Sequence, residues 1–72
     1  MSRLDAYRSG DEHADVMRDA HQLARDIQGL NTAKSAADYT IALHEAMNSA
    51  TDLLRALRKL RQHVRDIDDD KL

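Results

Sequence analysis

Apolar residues first recur with helical spacing at Val16, Ala20, Leu23, Ile27 and Leu30, in steps of four, three, four and three. Met17 and Ala24 widen that stripe, and the pattern predicts an amphipathic helix over about residues 11–28. Ser9 followed by Glu12 has the spacing of a capping box, with Asp11 as the competing cap, and Asp11, Glu12 and Asp15 suit the positive end of a helix. Gly29 is the expected stop, a residue able to take the left-handed conformation that closes a helix, and Asn31 and Thr32 then offer the next cap.

A second pattern runs unbroken from about residue 33 to 67. Ala36, Tyr39, Leu43, Ala46, Ala50, Leu53, Leu57, Leu60, Val64 and Ile67 alternate steps of three and four, a heptad register held for more than four repeats. A continuous helix there would be about 50 Å long at 1.5 Å per residue, roughly twice the first. A short turn between the two forces an antiparallel hairpin, in which the first helix is expected to lie against residues 33 to about 50 of the second. The expected hairpin core is Val16, Ala20, Leu23, Ile27 and Leu30 against Tyr39, Leu43, Ala46 and Ala50. Small residues, Ala20 and Ala24 on one side and Ala36, Ala42, Ala46 and Ala50 on the other, would let the two backbones approach closely.

Beyond residue 50 the stripe turns large, to Leu53, Leu54, Leu57, Leu60, Val64 and Ile67. Leu4 and Tyr7 suggest a short helical turn within residues 1–8 that folds back across Leu54 or Leu57, too little to cover six large side chains. At roughly 1.5 to 3 kcal/mol each, those six represent about 10 kcal/mol of unused driving force before entropy costs. The expected fold is therefore all-α: one small domain, a helical hairpin with a long second helix, dimerising through that helix into a four-helix bundle. The alternative is a three-helix bundle, in which the second helix breaks near the poor helix formers Asn48, Ser49 and Thr51 and folds back. No glycine or proline marks such a break, which ranks it second.

Composition sharpens this picture in three ways. A chain of 72 residues has a thin stability margin, and with no cysteine it gains nothing from disulfides and little from structural metal, which leaves association. Without cysteine, signal-like apolar run or membrane-length apolar stretch, the reading is a cytoplasmic, soluble chain. Arginine exceeds lysine and aspartate exceeds glutamate, the bias of a GC-rich genome or its phages, so a phage or accessory-encoded protein is expected.

The net charge of −2 conceals a local imbalance. Arg55, Arg58, Lys59, Arg61 and Arg65 carry five positive charges across residues 55–65 with no acid among them, and residues 68–72 form an acidic tail. A basic helix face can meet phosphates with salt-dependent affinity. It equally serves as the solvated flank of a coiled coil, and this second reading is preferred because the chain is acidic overall and poor in aromatic residues that stack on bases. His44–Glu45 opens like a zinc-protease helix motif, but Asn48 stands where the second histidine belongs, so no metal, cofactor or catalytic residue is assigned and the chain is read as a non-enzyme.

The segment carrying Leu57, Leu60, Arg61, Val64, Ile67 and Asp68 resembles the opening helix of the all-helical chorismate mutases. In that family two further helices complete the pocket, and the resemblance covers one helix, so no activity is carried over. At the level of architecture alone, the expected hairpin dimer resembles small plasmid RNA-binding regulators. The functional expectation is a small protein–protein interaction module or modulator that self-associates through the second helix and binds a further protein. A nucleic-acid-binding dimer using the basic run is the alternative.

Overall fold

A computed structural model describes residues 2–69, and three helices in sequence account for nearly all of them: α1 (Arg3–Arg8), α2 (Asp11–Thr32) and α3 (Ala36–Asp69). No strand occurs among the described residues. α2 and α3 are the two long helices of an antiparallel hairpin. α3 passes through Asn48, Ser49 and Thr51 without interruption, so the fold-back that would make a three-helix bundle does not form. The Thr51 hydroxyl donates to the Met47 carbonyl at 3.0 Å, a bond to the preceding turn that accommodates a poor helix former without opening the helix.

The helix boundaries depart from expectation at each cap, for local reasons. Ser9 does not start α2: it closes α1, with its backbone N–H bonded to the Asp5 carbonyl, and Gly10 is the N-cap of α2 with no side-chain hydrogen bond. α2 runs through Gly29, which keeps a negative φ, and continues to Thr32, whose hydroxyl folds back onto the carbonyls of Gln28 and Gly29. The chain leaves the helix at Ala33 in an extended conformation. Neither Asn31 nor Thr32 caps the next helix. Ser35 does, accepting from the Asp38 N–H through its hydroxyl at 3.1 Å and from the Tyr39 N–H through its carbonyl at 3.0 Å.

These shifts reset the pairing of the hairpin. Because α2 gains a turn at its C-terminus and α3 starts later, α2 reaches past residue 60 of α3 rather than stopping near 50. Four pairs mark the register. Gly29 lies by Ala42, Asp26 accepts a hydrogen bond from the Ser49 hydroxyl, Glu12 stands 3.8 Å from His63, and Tyr7 of α1 donates to Asp68 at 2.7 Å. α1 therefore packs near the C-terminal end of α3, beyond α2, and not across Leu54 or Leu57, which stay exposed. Asp68 and Asp69 of the expected acidic tail belong to α3, and residues 70–72 lie outside the described residues. Tyr7 and Arg3 give Asp68 partners that offset its poor position at the negative end of a helix.

The hairpin is long and thin, 56 × 17 × 12 Å, with a radius of gyration of 16.2 Å. A compact domain of this length would have about 11 Å. Its interior consists of Val16, Ala42, Ala46, Ser49 and Ala56, and among the described residues no large side chain is fully buried. The accessible surface is 5644 Å², whereas roughly 4,500 Å² is typical of a folded monomer of this mass.

Candidate interaction surface

Two apolar strips run side by side along α3. The first, Ala42, Ala46, Ser49, Leu53, Ala56, Leu60 and Ile67, faces α2 and, at its far end, α1; its alanines and Ser49 are buried and its large residues half-buried. The second is Tyr39, Leu43, Met47, Ala50, Leu54 and Leu57, with Tyr39 50%, Met47 59% and Leu54 48% exposed. With about 100° of rotation per residue, the second strip is turned by about 100° from the first.

The expected core and the expected self-association set are therefore both divided. Of the core residues on α3, Ala46 is buried against α2, while Tyr39, Leu43 and Ala50 stand on the outer strip. On α2, Val16 is buried, Ala20, Leu23 and Leu30 are half-buried, and Ile27 is 46% exposed. Of the self-association residues, Leu54 and Leu57 are exposed, whereas Leu53, Leu60, Val64 and Ile67 are half-buried on the hairpin side. Met47 falls outside the heptad pattern, yet its spacing of four from Leu43 and seven from Leu54 places it on their strip. Ser49, by residue type a helix weakener, has a second role. It is the one buried polar side chain among the described residues, and its bond to Asp26 supports the helix register from a position flanked by Ala46 and Leu53.

α2 carries an outer apolar strip of its own, Met17, Ala20, Ala24 and Ile27, again turned by about 100° in the same rotational sense from the residues that meet α3. In antiparallel helices that shared sense carries both strips to one side of the hairpin. The other side is polar: a shallow groove between the helices is lined by Asp15, Arg18 and Asp19 from α2 and by Asp52, Arg55 and Lys59 from α3. Arg18 pairs there with Asp15 at 3.2 Å and Arg55 with Asp52 at 3.9 Å. Such exposed pairs contribute little stability.

The basic run divides in the same way. Arg55 and Lys59 line the polar groove, while Arg58 and Arg61 border a depression shared with Leu54 and Leu57. Arg65 continues that basic border at helical spacing. Arg58, Arg61 and Arg65 form no ion pair among the described residues.

Among the described residues no three histidine or carboxylate side chains come together as a metal would require. His63 lies near Glu12, and His44 is exposed. The hydrogen bond to Asp68 holds the Tyr7 phenol above its ordinary value of 10.0, with burial and the Asp68 charge adding to the effect and Arg3 opposing it. No helix among the described residues is long and apolar enough to cross a membrane. Comparison with protein-family models, curated proteins and solved structures finds no match to this chain.

Proposed function

We propose that this chain is a small, non-enzymatic, cytoplasmic protein–protein interaction module that self-associates through α3 and engages a further protein through the helix faces left outside. The observation that carries this reading is the outer strip of α3, large apolar side chains exposed on a hairpin that fully buries no large side chain of its own. The excess surface, on the order of 1,000 Å², is comparable to the roughly 800 Å² that each partner contributes to a stable interface. The partner groups on offer after association are the mixed charges of the polar groove.

Light scattering across a range of protein concentrations tests self-association. The expected mass is twice that of the 8.2 kDa chain at micromolar concentration. A monomer throughout that range would defeat the reading. The second reading, nucleic-acid binding, draws support from Arg58, Arg61 and Arg65, exposed residues without ion pairs among the described residues. It predicts retention of duplex DNA or structured RNA at low salt that falls steeply as salt rises. Negligible retention at low salt would remove it.

A further inference from the structure

We infer that the occupant of the apolar side is a second copy of this chain, related by a two-fold axis that crosses α3 near residue 48 and runs the two α3 helices antiparallel. The inference rests on the proposed self-association and adds to it a face, an orientation and a register.

The face is set by the hairpin as a whole. The outer strips of α2 and α3 lie on one side, so Met17 and Ile27 extend the surface formed by Tyr39, Met47, Leu54 and Leu57. Their exposed area together with that of Leu43, on the order of 600 Å² per copy, makes up most of what one partner contributes to a standard interface, and both helices are needed to reach it. A dimer that used α3 alone would leave Met17 and Ile27 in water.

Charge sets the orientation. From residue 36 to 54, α3 carries no lysine or arginine; from 55 to 65 it carries Arg55, Arg58, Lys59, Arg61 and Arg65 and no acid. Parallel helices would set the two basic segments side by side. Antiparallel helices carry the two basic segments to opposite ends of the interface, and oppose the helix dipoles as well. Arg58 and Arg61, which border the strip, then occupy the rim of the interface, where charged residues steer association and fix orientation.

Register follows from symmetry. The strip on α3 begins at Tyr39 and ends at Leu57, so a two-fold axis that buries all of it passes midway, near residue 48. Tyr39 of one copy then lies over the partner's Leu57, and Leu43 over the partner's Leu54.

The chain has no cysteine, so single cysteines can be placed at will for spin labelling of the full chain. Labels at Thr51→Cys and Arg65→Cys, both exposed, read the arrangement directly. With the axis near residue 48, the two labels at 51 should lie within about 20 Å of each other and those at 65 about 50 Å apart, at 1.5 Å per residue from the axis. Equal, short distances at both positions would mean parallel helices and overturn the inference while leaving self-association standing. Ile27→Asp tests the contribution of α2: the dimer dissociation constant should rise at least roughly tenfold, with helicity retained by circular dichroism. An unchanged constant in that variant would restrict the interface to α3 and overturn the composite face. Absence of any dimer in the wild type would overturn both this inference and the self-association beneath it.

Discussion

On the side of α3 that meets α2 stand Ala42, Ala46, Ser49 and Ala56, while the adjacent side shows Tyr39, Leu43, Met47, Leu54 and Leu57 to solvent. The side chains buried most completely are small, Leu53, Leu60 and Ile67 beside them are half-buried, and the most exposed apolar ones are large, a departure from an ordinary amphipathic helix. Two helices can pack closely only where their side chains are short, and alanine meets that need while burying little apolar area. The tight seam thus orders the hairpin without much stabilising it. The outer strip has the opposite character, with large apolar area about half of which is open to solvent. The teaching of this contrast is a division of tasks: the inner side sets the shape of the hairpin and the outer side supplies the area that association can bury.

The largest effect should come from placing charge on the outer strip. Leu54→Asp with Leu57→Asp substitutes two exposed residues, so the isolated hairpin should keep its helicity by circular dichroism while dimerisation weakens. Two lost apolar contacts together with two buried carboxylates correspond to at least about 3 kcal/mol, or roughly a 100-fold rise in dissociation constant, measurable by sedimentation equilibrium. Unchanged association would place the interface elsewhere.

Enlarging the inner side should act on the fold itself. Ala46→Leu forces a large side chain between α2 and α3 and should destabilise the protein by roughly 1–3 kcal/mol in urea denaturation. A neutral result would mean that the seam is loose. Gly29→Ala should move stability the other way, by about 0.5–1 kcal/mol, because Gly29 has helical backbone rather than a positive φ. A Cβ there would sit 3.5 Å from that of Ala42, ordinary contact. Destabilisation by alanine would show that the seam at that point has no room for a methyl group.

The smallest effect concerns α1, which touches neither strip's centre. The Tyr7 phenol is raised above its ordinary value by the bond it donates to Asp68, so the protonated form is the one the fold favours. Its contribution is fully present below pH 10.0 and lost as pH rises through the raised value. In a Tyr39→Phe background, where Tyr7 is the remaining tyrosine, ultraviolet titration should give a midpoint above the ordinary phenol. An ordinary midpoint would mean that α1 is undocked in solution.

The all-α class, the hairpin and the long final helix were legible in the sequence because the three–four spacing from Ala36 to Ile67 runs through Asn48, Ser49 and Thr51 without a glycine or proline. Which side of that helix faces inward was not. Leu53, Leu60 and Ile67 mark the inner side, Tyr39, Leu43 and Leu57 the outer, and a single heptad reading joins them into one stripe. Alanine carries too weak a hydrophobic signal to reveal that Ala42 and Ala56 define a separate strip, and size alone draws the eye to the leucines. The caps differ for a related reason: Ser9 with Glu12, and Gly29, have the right residue types, yet α2 starts from Gly10, the Thr32 hydroxyl donates to carbonyls of its last turn, and Ser35 caps α3. Those few residues moved the register by between three and four turns and lengthened the cover that α2 gives to α3.

The central claim is that the hairpin is completed by a second copy, and the thermal midpoint of unfolding measured over a hundredfold range of protein concentration tests it most directly. Burial of the outer strip between copies predicts a midpoint that rises by several degrees with concentration, because dilution favours the unfolded chains. A midpoint that stays constant across the range would mean that the hairpin stands alone, with its outer strip in water.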